Sequence, residues 1–287
     1  MDNSFMRRVW DLHYHIGPEV IPRKYGVAEL RERMKGNIKG MALKSHFYPT
    51  SVFIDDSDSL IGSVALNNYV GGINKDAVYA ASVISKKPII VWFPTINAKR
   101  FVDKSELEIP NEWTQGKIKS RSAKEIEGLS VLNSVGGLSE DAKAVVKAAK
   151  VFNNVIATGH LSWQEAKKLA KYCLQDDVTV VITHPIYHLI DMPIEVQKEL
   201  AVKGAFIEQT YAMYSIDNIP MSKIAEQIKE IGAEKCIMTS DSGQVFSKDP
   251  WVCMNEFAEA LKKEGISERE LELMMITNPE KIISYIK

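Results

Sequence analysis

The sequence predicts an α/β chain folded as a single (β/α)8 TIM barrel, on three observations. Short apolar runs alternate with helix-length stretches about eight times along the 287 residues, with no linker between the halves. Five of the six histidines, His13, His15, His46, His160 and His184, fall where those runs end; only His188 does not. An open doubly wound sheet is the alternative, and it needs a glycine-rich phosphate turn after an early strand. Gly71-Gly72 lacks that full fingerprint.

Composition narrows the partners. A chain of 45% hydrophobic and 25% charged residues is ordinary for a globular protein and long enough to bury a large core. Lys+Arg 36 against Asp+Glu 37 leaves a net charge of -1, so nothing draws the chain as a whole to nucleic acid or to an anionic membrane. Small molecules are the expected partners. Cys173, Cys236 and Cys253 lack metal-site spacing and read as reduced, buried thiols. With no signal-like or membrane-length apolar run, a cytoplasmic location is expected.

The first strand runs from Val9 into His-x-His and Gly17-Pro18. Because side chains alternate across a strand, Asp11, His13 and His15 are expected on one face. A helix follows over Val27 to Met34, then a second strand, Lys39 to Phe47, ending in Lys44 and His46. A polar loop through Asp55, Asp56 and Asp58 leads to the third strand, Leu60 to Leu66, and Asn74 is placed to cap a helix over Lys75 to Ser85. Pro88 to Thr95 is the fourth strand.

From Asn97 to Glu127 the rhythm breaks into a polar insertion with the basic run Lys117 to Arg121. It reads as a solvated loop, a lid over a site at the pocket mouth, or a contact between copies in a homo-oligomer. Leu129 to Leu132 suggests a minor strand, and Glu140 to Lys150 a helix. The second half is regular: strands Val155 to His160, Val178 to His184, Ala205 to Tyr211 and Cys236 to Gly243. Their helices begin at the capping box Ser162-x-x-Glu165, at Pro193 and near Met221. Helices over Trp251 to Lys263, Ser267 to Ile276 and Pro279 to Ile286 close the chain, the last with Asn278 as its expected cap.

A single strand-end histidine is as often a hydrogen-bonded structural residue as a ligand. Five converging on one barrel rim, joined by Asp241 at the end of the eighth strand, point instead to a divalent metal. Imidazole nitrogen and carboxylate oxygen suit zinc or a similar ion, and such an ion lowers the pKa of bound water toward neutrality. Trp10, Trp92, Phe206 and Tyr211 read as core or pocket wall, Thr95 as a strand terminator or substrate contact, and His188 as exposed.

In this order the residues resemble the amidohydrolase superfamily of metal-dependent hydrolases. Its pattern is His-x-His after strand one, single histidines after strands five and six, and an aspartate after strand eight. His13 and His15, His160 in Thr158-Gly159-His160, His184 in Thr183-His184-Pro185 and Asp241 in Ser240-Asp241-Ser242 match it over nearly the whole chain. The resemblance implies metal-assisted cleavage of a C-N or C-O bond in a small amide, lactam, lactone or ester, with one or two ions, zinc first. Asp241 would be the general base, and His184 would hold a second ion or polarise the substrate carbonyl.

One departure stands out. Two-metal members usually carry a bridging carbamylated lysine or glutamate at strand four, and Trp92-Phe93-Pro94-Thr95 offers neither. Either the site holds one ion, or Lys44, His46 or Glu208 substitutes for the bridge. Lys44 reads equally as a partner for substrate charge, Glu208 as a hydrogen-bonded barrel residue, and His46 as a metal or substrate contact. Phosphoester hydrolysis or non-oxidative decarboxylation on the same scaffold is the alternative chemistry. A ligand-binding barrel without metal is the weakest reading, because the ligand set is intact.

Overall fold

Each apolar run supplies a strand, and the paired part is shorter than the run. The protein is described here by a computed structural model covering residues 1–55, 59–85 and 87–284. The barrel strands are β1 (Trp10–His15), β2 (Gly40–Lys44), β3 in two pieces (Leu60–Ile61 and Ser63–Ala65), β4 (Ile90–Trp92), β5 (Val155–Ala157), β6 (Val180–Ile182), β7 (Phe206–Thr210) and β8 (Cys236–Thr239). All neighbouring pairs are parallel and follow chain order. The ring closes where Asp241 N donates to His13 O (2.9 Å) and His15 N to Ser242 O (2.8 Å), which places the end of β8 beside β1. The chain is therefore a (β/α)8 barrel.

The connecting helices pack outside: α1 (Val27–Met34), α2 (Lys75–Ser85), α3 (Glu140–Val151), α4 (Trp163–Gln175), α5 (Ile194–Val202), α6 (Met221–Ile231) and α7 (Pro250–Lys263). The Ser162/Glu165 capping box forms as expected, and Asn74 Oδ1 accepts from Asp76 N at 2.9 Å. Among the described residues between β2 and β3 there is only the 3-10 turn Thr50–Phe53. That turn lies so close to β3 that a Cβ on Gly62 would sit 2.7 Å from Ser51 Cα, and β3 is interrupted there. Among the described residues no helix is long and apolar enough to cross a membrane.

Two apolar layers hold the ring. Leu12, Ala42, Ile61, Ala65, Ile90, Trp92, Val155, Ala157, Val181 and Ile237 fill the barrel, with Ile282 packed among them. Met41, Leu43, Val64, Val91, Ile156, Val180, Ile182 and Ile207, the alternating partners, face the helices in a second, larger cluster.

Several expectations are corrected. The register of β1 against β2 slips between Asp11 and Tyr14, so Leu12 joins the barrel interior while Asp11 pairs with Met41 of the outer layer. Asp11, His13 and His15 do not share a face, because the bulge breaks the period of two. Leu129 to Leu132 is no strand and makes only isolated bridges, Ala98 with Leu129 and Leu132 with Leu138. The insertion carries local structure: helices Lys99–Lys104 and Asn111–Thr114 and the turn Ala123–Glu125. The helix expected from Ser267 passes through a π turn, Leu273–Thr277, straight into Asn278–Ser284. Asn278 is thus no cap; its Nδ2 donates to Ala233 O and Cys236 O below β8. Asp56 and Asp58 of the expected polar loop, and Tyr285 and Ile286 of the last helix, lie outside the described residues.

Candidate metal centre and active site

The runs overshoot the ladders because the chain beyond each last pairing remains buried and turns inward over the barrel. His46, His160, His184 and Asp241 all sit in these post-strand segments, whereas His13 and His15 end β1 itself. Backbone geometry sets their aim. A Cβ at Gly159 (φ +62°) would lie 2.3 Å from Phe93 O, so only glycine lets His160 N reach Pro94 O, at 3.0 Å. Asp241 has φ +48°, a conformation aspartate tolerates better than most residues, held by its bond to His13 O.

Three side chains converge. Asp241 Oδ1 lies 3.0 Å from His13 Nε2 and 3.1 Å from His15 Nε2, and the three donor atoms lie within 4.8 Å of one another. His184 Nε2 is next, 3.9 Å from Asp241 Oδ2. The His160 ring stands one layer further out, its centroid 5.1 Å from that of His184. The Nδ1 atoms of both His160 and His184 are buried without a partner among the described residues. Burial raises the Asp241 carboxyl, but His13 and His15 outweigh it and hold the group well below the usual carboxylate range. Burial pushes His184 down to about 4 and leaves His46 and His160 well below the imidazole range, so these three are neutral at pH 7.

The residues that might replace a strand-four bridge sit differently. Glu208 does not reach the cavity: Oε1 accepts from His13 Nδ1 (3.0 Å) and Thr239 Oγ1 (2.9 Å), and Oε2 from His184 N (3.0 Å). It orients His13 from behind, as a carboxylate does for a metal-binding imidazole, and turns Nε2 toward Asp241. Lys44 is sealed beneath His13, Nζ 2.9 Å from Nε2 and 4.1 Å from the centre of the Trp92 ring. Buried there, it does not line the cavity and cannot meet substrate charge directly. Burial pushes its ammonium down to about 8. His46 does face the cavity. Asn67 Nδ2 donates to Thr95 Oγ1 (2.8 Å), which lies 2.8 Å from His46 Nδ1 and leaves Nε2 as the free ring nitrogen.

Over these groups lies a cavity of about 440 Å³ walled by Phe101, Trp113, Tyr187 and the histidines. Phe101 and Trp113 belong to the insertion, which therefore reaches the pocket mouth; Trp113 stacks on His46 at 10° and 5.9 Å. His188 is exposed at the rim, 3.8 Å from Asp217. Sequence reasoning missed Arg23, which lines the cavity from the loop after His-x-His, and its partner Glu19. Their four-residue spacing was the only signal, and a loop gives such spacing no meaning. It also missed Trp113 and Asp217, whose carboxyl burial raises to about 6.

The donor set suits a divalent cation. Two imidazole nitrogens and a carboxylate oxygen meet, those of His15 and Asp241 at the cavity wall and that of His13 buried behind them, and the neutral His184 and His160 line the cavity beside them. The neighbouring Lys44 ammonium, lowered by burial to about 8, is still mostly charged at pH 7 and is balanced by Asp241 and Glu208.

Comparison with known proteins agrees with this architecture. An amidohydrolase from Pseudomonas aeruginosa superposes with a TM-score of 0.55 at 12% identity, covering 100% of this chain and 99% of that one. A TatD homologue from Escherichia coli K12 gives 0.58 at 10% identity, covering 97% and 99%. A 2,6-dihydroxybenzoate decarboxylase from Rhizobium gives 0.54 at 10%, also covering 97% and 99%. At such identities the likeness is one of fold alone, a barrel shared with these proteins over nearly the whole chain. By sequence the chain belongs to DUF6282, a family of unknown function whose model matches residues 8–208. No curated protein matches it.

Proposed function

We propose that this protein is a metal-dependent hydrolase that cleaves a C-N or C-O bond of a small amide, lactam, lactone or ester, with a single divalent ion, zinc first, at His13, His15 and Asp241. The observation that carries the reading is the meeting of those three donors at the edge of a cavity that His15 and Asp241 line, with His13 buried behind them and braced by Glu208. An ion bound there would supply Lewis acidity and a water of lowered pKa.

The remaining work falls to the chain. Asp241 is ionised and has one oxygen, Oδ2, turned toward His184, so it can take a proton from the attacking water and deliver it to the leaving group. His184, neutral and anchored through its backbone to Glu208, can hold the substrate carbonyl. His46 offers Nε2 to the far side of the substrate, and Phe101, Trp113 and Tyr187 exclude water around it. Lys44 supplies a positive charge beside Asp241 and Glu208, which favours one ion over two.

The test is elemental analysis of protein never exposed to chelator, followed by a panel of lactones, amides, phosphoesters and aryl carboxylates. About one ion per chain and turnover of a lactone or amide are expected. Release of carbon dioxide without hydrolysis would move the assignment to decarboxylation, the competing chemistry for one ion. Folded protein that takes up no zinc, manganese, nickel or iron would end the metal reading.

A further inference from the structure

Arg23 is the cavity-lining group that the proposed chemistry leaves unused. Its side chain is 3% exposed, and that of Glu19, which binds it, is 0% exposed. Glu19 is itself pinned: Oε2 accepts from Arg23 Nε, and Oε1 accepts from His46 N and Ser45 Oγ. The loop is tied down as well, with Lys24 N donating to Gly243 O (2.8 Å) and Arg23 bridged to Gln244. A guanidinium fixed this firmly is pre-organised, and Glu19 engages only its Nε edge.

The other edge is available. Among the described residues nothing accepts from Nη1, and Nη2 meets only His15 Nδ1, at 3.1 Å. A neutral imidazole carries one proton. When His15 presents its Nε2 lone pair to a cation, Nδ1 bears the hydrogen and can no longer accept from Arg23. Nη1 and Nη2 must then find an acceptor in the cavity, side by side, in the geometry that fits a two-oxygen anion.

We propose that Arg23 is the substrate-anchoring group and that the substrate is a carboxylate, bound by the Nη1/Nη2 edge beside the reacting bond. A carboxylate fits better than a phosphate because the cavity sets two cationic side chains, Arg23 and Lys104, against four carboxylates, Glu106, Glu112, Asp217 and Asp241, a balance that disfavours a dianion. The aromatic walls suit a flat ring as the body that carries it. This proposal rests on the metal reading for the direction of the Arg23 donors.

The experiment is calorimetric binding of benzoate, its neutral isostere benzamide, and phenyl phosphate to zinc-loaded protein, with zinc content measured in each preparation. Benzoate should bind at least about tenfold tighter than benzamide, and tighter than phenyl phosphate. Arg23→Gln should lose that preference at unchanged zinc content. Because this variant strands Glu19, Glu19→Gln with Arg23→Gln serves as a second form in which no buried charge is left alone. A benzoate preference that survives in both variants would place the carboxylate on the metal and overturn the assignment, as would phenyl phosphate binding more tightly than benzoate. If the protein takes up no zinc, the hydrolase reading fails separately. The same comparison on metal-free protein then judges Arg23 alone: a preference abolished by the substitutions upholds it, and equal binding of benzoate and benzamide overturns it.

Discussion

The two halves of the barrel rim that carry the candidate site are both largely buried and chemically opposite. On the half built by β1, β7 and β8, His13, His15, Glu208 and Asp241 bring two carboxylates against two imidazoles, with Lys44 beneath. On the half built after β2, β3 and β4, His46, Asn67 and Thr95 form a neutral chain in which Asn67 also holds His46 O and Thr95 N. Water is excluded from both, but buried carboxylates need counter-charge, whereas neutral groups need only complementary hydrogen bonds. The charged half is therefore suited to an ion and proton transfer, and the neutral half to shaping the cavity.

That contrast is open to graded tests. The largest effect is expected on the charged half. His13→Ala should lose the ion and with it all turnover, by elemental analysis and assay. Asp241→Asn, which keeps the shape but removes the base and a charged ligand, should lower kcat about 10²–10⁴-fold even at saturating zinc, at little cost in melting temperature. Glu208→Gln should be intermediate, because it weakens the brace on His13 without removing a donor. Metal affinity should fall about 10–100-fold in a competition titration with a chromogenic chelator.

On the neutral half, Thr95→Val strands His46 Nδ1 and Asn67 Nδ2. A loss of about 1–3 kcal/mol in urea unfolding is expected, with metal content unchanged and kcat altered only a few-fold. A thousandfold loss of turnover at full metal content would erase the distinction between the halves.

The smallest effect on activity is expected at Asp11, behind the charged half. Burial raises its carboxyl from an ordinary 3.8 to about 6, even though Ser240 and His13 donate to it. The folded state thus keeps a proton that the unfolded chain has released. Asp11 costs nothing below pH 4, and its burden grows as pH rises from about 4 to 6 and stays in place above. In chelator-treated protein, Asp11→Asn should gain on the order of 3 kcal/mol relative to the parent between pH 4 and 7, measured by urea unfolding at each pH. A difference that does not change with pH would show that the carboxyl is ionised throughout.

The alternation of elements, the barrel class and the order of His13, His15, His160, His184 and Asp241 were all legible in the linear chain. Each depends on residue type at the end of an apolar run, which is a local property. So were the caps at Asn74 and Ser162, which involve neighbours three residues apart or fewer. Asn278 failed as a cap because its amide answers carbonyls more than 40 residues away. The roles at the site, left open by the linear chain, depend on contacts of the same long range. His13 meets Glu208 across 195 residues and His15 meets Asp241 across 226, so whether Glu208 is a ligand or a brace, and Lys44 a substrate partner or a buried counter-charge, is settled only when the ring closes. The bulge that sends Asp11 away from His13 belongs to the same class: it is a property of how β1 pairs with β2, not of β1 alone. Arg23 is the extreme case. Its loop has no period to read, and its position follows from a buried carboxylate and a strand-eight loop that meet only in the folded barrel.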